Sequence, residues 1–385
     1  MGAGQVTTAV LDEHVRRTIR ARLWAGVLGG DTRQGYTSSI NCADHKALAL
    51  EAGRKSIVLV KNDNHALPLD TAISLVAVVG TYAAAARVGG GGSSLVTPFY
   101  SISPIDGIKN RIGAAKVTTD WRAAQTVIVF VGVTGEAEGT DRGDLGISAD
   151  QNALAQSIRA AGKKCIVVFT GGSAAIQGAW ADAQAVIIAF YPGEEQGNAI
   201  ADVIFGRYNP GGKLAVSFPI AATQLPPFDI VNGHIQYEDA SEGRGYTYYD
   251  KHNLLPLFCF GHGLSYTTFS YSNIRIAPAQ AYAGDPVTVS ADITNTGTIA
   301  GDEIAQLYLG QNGATDRPVR QLRGFARVSL NPGETKTAIF ALTERDFARW
   351  NSTQSRFVVP AGTYTIQVGA SSRNLPLSAT LSMAP

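Results

Sequence analysis

The sequence has little charge and few cysteines, and both shortages exclude classes of function. Only 16% of the 385 residues are charged, and Lys plus Arg, 32, nearly balance Asp plus Glu, 31. With a net charge of +1 and no run of basic residues, neither nucleic acid nor an anionic membrane surface is an expected partner. The cysteines Cys42, Cys165 and Cys259 lie far apart, without the spacing of a metal site or a disulfide framework. We therefore expect no metal and no cofactor.

Long apolar segments are also missing. No uninterrupted apolar run is long enough to span a membrane, and the N-terminal MGAGQVTTAVLDEHVRRTIR lacks the apolar region of a signal peptide. These features predict a soluble chain with no export signal of its own, and they leave its compartment open.

Two common catalytic signatures are absent as well. There is no G-x-S-x-G nucleophile motif, and the Gly-rich residues 87–98, RVGGGGSSLVTP, lack the Lys of a phosphate-binding loop and the G-x-G-x-x-G spacing. A nucleotide-binding α/β protein is therefore not expected. Glycines without Cβ atoms predict instead a backbone that closely approaches a ligand or a neighbouring domain.

The apolar residues, 45% of the chain, follow two patterns. Up to about residue 218, the apolar runs SIVLV, SLVAVVG, TVIVFVGV, KCIVVFTGG and AVIIAFYPG alternate with helix-like stretches, which predicts an α/β sandwich with a mostly parallel sheet covered by helices. Later strands such as VTVSADITN and TYTIQVGA alternate polar and apolar residues, which predicts an all-β sandwich. The expected organisation is a helix and linker at 1–42, the α/β sandwich at 43–219, an ordered connection at 220–270 and the β-sandwich at 271–385.

One loop concentrates the carboxylates. Residues 127–145, VIVFVGVTGEAEGTDRGDL, run from an apolar strand into a loop that holds Glu136, Glu138, Asp141 and Arg142. Glycoside cleavage uses two carboxyl groups, one neutral to protonate the leaving oxygen and one ionised. A Glu held out of water at the end of a strand would have its pKa raised to about 6, as in lysozyme. From these residues alone, an ordinary solvated loop is the commoner interpretation.

Several separate motifs decide between these interpretations. The chain resembles the C-terminal half of a glycoside hydrolase family 3 β-glucosidase over nearly all of its length. The motifs that carry the resemblance, in chain order, are HKALALEAGRKSIVLVKNDNHALPL, VGGGGSSLVTP, GEAEGTDR, GEEQGNAIADVIFGRYNPGGKLAVSFP, GYTYYD, PLFCFGHGLSYTTF, NTGTIAGDEIAQLYL and RPVRQLRGFARVSLNPGE.

The resemblance implies a role for each part of the chain. Family members carry a (β/α)8 barrel with an Asp nucleophile, an α/β sandwich with the acid/base Glu, and a fibronectin type III-like domain. Their E-G-aromatic-D-R motif matches Glu138 to Arg142, so Glu138 is the acid/base candidate and Glu136 the fallback. Asp141 and Arg142 are candidates for substrate binding. Thr140 replaces the usual aromatic residue, which leaves the order of the two Glu candidates open.

The resemblance also implies that the barrel is missing, apart from its last helix, LDEHVRRTIRARLWAGVL. The nucleophile is therefore expected on another polypeptide or on an absent part of the gene. Thr119, Asp120 and Trp121 copy the family's Ser-Asp-Trp nucleophile motif closely. They lie, however, at the far end of the strand that leads to Glu138, whereas the two carboxyls of a retaining pair lie about 5 Å apart. Asp120 is not expected to be the nucleophile.

The sequence thus predicts the C-terminal part of a retaining, exo-acting β-glucosidase that hydrolyses terminal, non-reducing β-D-glucosyl residues. Its expected partners are a β-glucoside or β-linked oligosaccharide and a (β/α)8 barrel domain, without which it is expected to be inactive. The alternative is a non-catalytic fragment that binds carbohydrate or protein.

Overall fold

The structure is a computed structural model that describes residues 6–28, 40–139, 142–226, 230–231, 234–235 and 243–385. The chain divides into two units, Met1–Leu48 and Ala49–Pro385. The first unit contains helix α1 (Thr8–Trp24), and the boundary falls within helix α2 (Ala43–Ser56).

Helix α1 lies within the helix and linker predicted for residues 1–42. Thr7 caps it, since its hydroxyl accepts a hydrogen bond from the backbone N–H of Val10 at 3.3 Å. None of its residues is buried, and the side chains of its apolar stripe are exposed: Leu11, Val15, Ile19 and Leu23.

A six-stranded sheet forms the centre of the α/β domain. Its strands are β1 (Val58–Asn62), β2 (Val76–Val79), β3 (Val117–Thr118), β4 (Thr126–Gly132), β5 (Lys164–Thr170) and β6 (Ala185–Ile188). They lie in the order β1-β6-β5-β4-β2-β3, and every neighbouring pair is parallel except β1 and β6. The predicted, mostly parallel sheet is confirmed.

Helices and loops cover both faces of this sheet. The helices of the domain after α2 are α3 (Pro104–Ile112), α4 (Ala149–Ala160) and α5 (Gln196–Ile204). In β4, Ile128 and Phe130 enter one core, whereas Val127 and Val129 enter the other. Two buried faces explain why these strands are apolar at successive positions rather than at alternate ones.

The segment after the sheet joins the two domains. It contains the two-stranded pair β7 (Ile230–Val231) and β8 (His234–Ile235) and the short helix α6 (Tyr246–Lys251). An antiparallel bridge between Phe218 and Phe258 brings the end of the segment back to the α/β domain.

The C-terminal domain is a sandwich of a five-stranded and a three-stranded sheet, with strand orders β10-β18-β17-β12-β13 and β14-β11-β9. The elements are β9 (Phe269–Ala277), β10 (Gln280–Ala281), β11 (Val287–Asn295), β12 (Gly301–Gln311), β13 (Gln321–Leu330), β14 (Thr335–Leu342), α7 (Glu344–Phe347), β15 (Arg349–Asn351), β16 (Arg356–Val358), β17 (Gly362–Gly369) and β18 (Leu377–Met383). In β11, buried residues alternate with less buried ones, which confirms the all-β sandwich expected from the alternating pattern.

A buried ion pair links the two domains. The ammonium of Lys213, in the α/β domain, lies 3.1 Å from the carboxylate of Glu303 on β12, and both side chains are less than a tenth exposed. The hydroxyl of Tyr271 also donates a hydrogen bond to the Glu303 carboxylate, at 2.6 Å. Lys213 and Glu303 lie in different domains, so their contact forms only when the α/β domain and the β-sandwich pack against each other.

Candidate active site

The loop after β4 that holds Glu136, Glu138 and Arg142 is called the acidic loop. Because it follows β4, these three residues lie at the carboxyl end of the parallel strands, where open α/β sheets bind ligands. There it borders a cleft of about 1560 Å³. The loops after β2, β5 and β6 contribute to the same cleft, and its lining includes Gly91, Ser93, Glu136, Glu138, Arg142, Ser173 and Tyr191.

Glu136 is enclosed by hydrogen-bond donors. The backbone N–H of Gly172 donates to its Oε2 at 2.7 Å, and the hydroxyls of Tyr191 and Ser173 donate to Oε2 and Oε1 in short contacts. The guanidinium of Arg142 lies 3.7 Å from Oε1, and the Glu136 side chain is 12% exposed. Both oxygens of this carboxylate therefore serve as acceptors inside the wall of the cleft.

These contacts determine the charge of Glu136. Partial burial raises the pKa of the carboxyl, but the hydrogen bonds from Ser173, Tyr191 and Gly172 and the charge of Arg142 together lower the pKa below its ordinary value. Burial and the hydrogen bond to Glu136 raise the pKa of Tyr191 to about 12. The pair is therefore an ionised carboxylate and a neutral phenol at neutral pH.

Glu138 has a much more open environment. Its side chain is exposed, and its Oε2 accepts a hydrogen bond from the Ser93 backbone N–H at 2.8 Å and a short one from the Ser93 hydroxyl. These two donors lower the pKa of Glu138. The expectation of a carboxyl with a raised pKa is wrong for both glutamates in this chain, because Glu138 is not shielded from water and Glu136 is surrounded by donors.

The Gly-rich loop packs directly against the acidic loop. The Gly91 N–H donates to the backbone carbonyl of Glu136 at 2.8 Å. Gly92 has a φ of +77°, and a Cβ atom on it would lie 2.4 Å from the Cβ of Glu138. The Gly-rich backbone thus closely approaches another loop of the same domain. Its approach to a ligand or a neighbouring domain stays a prediction.

Of the two predicted substrate-binding residues, Arg142 lines the cleft and Asp141 lies outside the described residues, as does Thr140. The Arg142 guanidinium donates to the Ser173 hydroxyl at 2.5 Å and to the carbonyl of Ala174 at 3.0 Å. Arg142 is thus tied to the loop after β5 as well as to Glu136.

Sequence reasoning missed Arg87 and Tyr191. The Arg87 guanidinium donates to the Tyr191 hydroxyl at 3.1 Å and to the Val133 carbonyl at 2.6 Å, and it lies 4.4 Å from the centre of the Tyr82 ring. The signal that could have found Tyr191 is its position just after β6, since parallel strands end at a common edge. The same signal applies to Ser173 after β5.

Asp120 lies well away from the cleft. It is exposed, it precedes β4, and its Oδ1 accepts the backbone N–H of Arg122 at 2.9 Å. At about 3.3 Å per residue, the strand between Asp120 and the acidic loop separates Asp120 from Glu138 by roughly 20 Å.

The described part of the chain contains neither a cluster of metal-ligating residues nor a membrane-spanning helix. No group of three or more His, Cys, Asp or Glu residues there could hold a metal ion. None of its helices is long and apolar enough to cross a membrane.

A cleft with two carboxylates at the edge of an α/β sheet, joined to a β-sandwich, is an arrangement suited to a carbohydrate-active enzyme. The model described as "Glycosyl hydrolase family 3 C-terminal domain" matches residues 57–266, and the "Fibronectin type III-like domain" matches residues 303–372. The chain belongs to glycoside hydrolase family 3, and the predicted resemblance is confirmed.

Named relatives agree with this assignment. The "Thermostable beta-glucosidase B" of Acetivibrio thermocellus is 34% identical to this chain, over 86% of this chain and 48% of the relative. The "Beta-xylosidase" of Formosa agariphila is also 34% identical, over 94% of this chain and 54% of the relative. Among solved structures, the Bifidobacterium adolescentis family 3 β-glucosidase has a TM-score of 0.86 at 30% identity, over 99% of this chain and 59% of that one.

The chain spans about half the length of the curated relatives that it matches. The elements described above form an α/β domain and a β-sandwich, and no eight-stranded parallel barrel is among them.

Proposed function

We propose that this chain supplies the acid/base half of a retaining, exo-acting β-glucosidase, with Glu138 as the acid/base. The observation that carries the proposal is the difference between the two carboxylates of the cleft. Glu138 is exposed and, among the described residues, finds donors for one of its oxygens only, whereas both oxygens of Glu136 accept hydrogen bonds.

This difference matters because an acid/base must exchange a proton with the substrate and then with water. To act as an acid, Glu136 would have to lose hydrogen bonds from Ser173, Tyr191 or Gly172 that favour its ionised form. Glu138 can take up and release a proton at its second oxygen without disturbing the wall of the cleft. Glu136 is better suited to holding the loops after β4, β5 and β6 together.

The reaction would follow the two steps of a retaining glycosidase. An Asp on a (β/α)8 barrel domain attacks the anomeric carbon while Glu138 protonates the leaving oxygen. Glu138 then takes a proton from water as the water releases the sugar from the Asp. A sugar and a barrel that cover Glu138 would exclude water from it and raise its pKa, which opposes the effect of Ser93.

The proposed substrate is a β-glucoside or β-linked oligosaccharide, cleaved at its terminal, non-reducing glucosyl residue. The support is the names of the relatives, most of which are β-glucosidases, although a β-xylosidase and an "Exo-alpha-(1->6)-L-arabinopyranosidase" are similarly close.

The test is hydrolysis of a chromogenic β-glucoside by the chain alone and by the chain mixed with a family 3 barrel domain that carries the nucleophile. We expect activity only in the mixture, and we expect Glu138→Gln to abolish it. Asp144→Asn is the matched control, because Asp144 is an exposed acid of the same loop whose carboxylate accepts only the N–H of Gly146 among the described contacts.

Three outcomes would contradict the proposal. If Glu138→Gln keeps its activity while Glu136→Gln loses it, the roles of the two residues are reversed. If the chain alone hydrolyses the substrate, the nucleophile lies on this chain and Asp120 must be reconsidered. Binding of a β-glucoside without hydrolysis in any mixture would favour the non-catalytic alternative.

A further inference from the structure

The Gly-rich loop, residues 87–98, is tied at one end, and again just beyond its other end, to the segment where helix α5 begins. The Arg87 backbone N–H donates to Oε1 of Gln196 at 2.6 Å. Beyond the other end, the Ile102 N–H donates to the carbonyl of Glu194 at 2.8 Å. These anchors belong to the GEEQ motif and lie outside the cleft, so the path of the loop is set by the body of the domain.

The middle of this loop contacts the acidic loop. The Gly91 N–H bonds to the Glu136 carbonyl, and the Ser93 N–H and hydroxyl both donate to Oε2 of Glu138. Within the part of the chain that the structure describes, no group donates to Oε1 of Glu138. The two oxygens of the proposed acid/base are therefore not equivalent.

We propose that Ser93 is a positioning residue for Glu138, which holds Oε2 as the acceptor oxygen and leaves Oε1 to carry the transferred proton. This inference rests on the proposed role of Glu138. A proton on Oε2 would compete with two donors that already point at that oxygen, whereas no described residue donates to Oε1.

The proposed position of the proton preserves the contact with Ser93. With the proton on Oε1, Oε2 becomes the carbonyl oxygen of a carboxylic acid, which still accepts hydrogen bonds from the Ser93 hydroxyl and N–H. Ser93 can therefore stay in contact with Glu138 in both protonation states and keep the carboxyl in one orientation through both steps of the reaction.

The first test follows the Glu138 carboxyl in this chain, without barrel or substrate. The chain is labelled with carbon-13 at its Glu carboxyl groups, and their NMR signals are followed as acid is added. The signal that is missing in Glu138→Gln belongs to Glu138. We expect Ser93→Ala to raise the pKa of Glu138 because one donor to the ionised form is lost, and Ser93→Thr to restore it. Ser101→Ala is the control, since Ser101 is an exposed serine with no described hydrogen bond. An unchanged titration in Ser93→Ala overturns the proposal.

The second test uses the active mixture of chain and barrel domain. In Ser93→Ala, kcat should fall and the alkaline limb of the kcat/KM profile should move to higher pH, and Ser93→Thr should recover both. If kcat falls but the alkaline limb of the kcat/KM profile stays at the same pH, Ser93 has a merely structural role. That result would also overturn the proposal. The NMR titration does not depend on hydrolysis. It therefore tests whether Ser93 affects the Glu138 carboxyl even if the Glu138→Gln variant disproves the catalytic role of Glu138.

Discussion

The buried pair between Lys213 and Glu303 gives the sharpest prediction about how the two domains hold together. Lys213→Met keeps a similar side-chain length but removes the charge. Glu303 then keeps only the hydrogen bond from Tyr271 as its described partner, and the carbonyl of Gly263 loses the donor that Lys213 supplies at 2.9 Å. A buried carboxylate is left without its countercharge.

The size of the effect follows from the geometry. At 3.1 Å, the attraction between the two charges is about 5 kcal/mol at an effective dielectric constant of about 20. The cost of removing both charges from water offsets much of this attraction in the folded chain. Removing one partner alone leaves that cost uncompensated, so we expect Lys213→Met to lower the free energy of unfolding by about 3–5 kcal/mol.

The assay is urea unfolding, followed by fluorescence and circular dichroism and extrapolated to water. The double variant Lys213→Met with Glu303→Gln removes the unpaired charge, so it should be more stable than Lys213→Met alone. Lys55→Met is the control, because the ion pair of Lys55 with Glu51 is exposed on one helix and should matter little. A loss below about 1 kcal/mol in Lys213→Met, or a double variant less stable than the single one, would refute the reasoning.

Two further predictions concern the cleft. Gly92→Ala should reduce hydrolysis in the mixture of chain and barrel domain far more than Gly113→Ala does. Both glycines have a positive φ, but only at Gly92 would the new Cβ atom meet Glu138. Equal losses of activity in the two variants would show that the contact with Glu138 is unimportant. Glu136→Gln should destabilise the chain at neutral pH, measured by urea unfolding. The pKa of Glu136 is lowered on folding, so its stabilisation is present above the ordinary value of 4.5 and is lost as the pH falls through the folded-state pKa. The difference in unfolding free energy between the two proteins should therefore disappear in acid. A difference that does not depend on pH would contradict the view that hydrogen bonds and the charge of Arg142 stabilise the ionised Glu136.

Local patterns in the sequence were enough to predict the main elements. The runs that became β4 and β5 are apolar on both faces, which only a sheet covered on both sides can bury, and β11 alternates because one of its faces is less buried. The place of Glu138 just beyond a strand also follows from chain order, since a loop after a parallel strand lies at the ligand-binding edge.

The environment of each carboxylate could not be predicted in this way. Glu136 receives its donors from Gly172 and Tyr191, which are 36 and 55 residues further along the chain, and Ser93 lies 45 residues before Glu138. Sequence alone therefore determined which residues stand at the edge of the sheet. Only the packing of separate loops decided that both carboxyls have lowered pKa values and that one is enclosed while the other is open, because hydrogen bonds and burial act through space rather than along the chain.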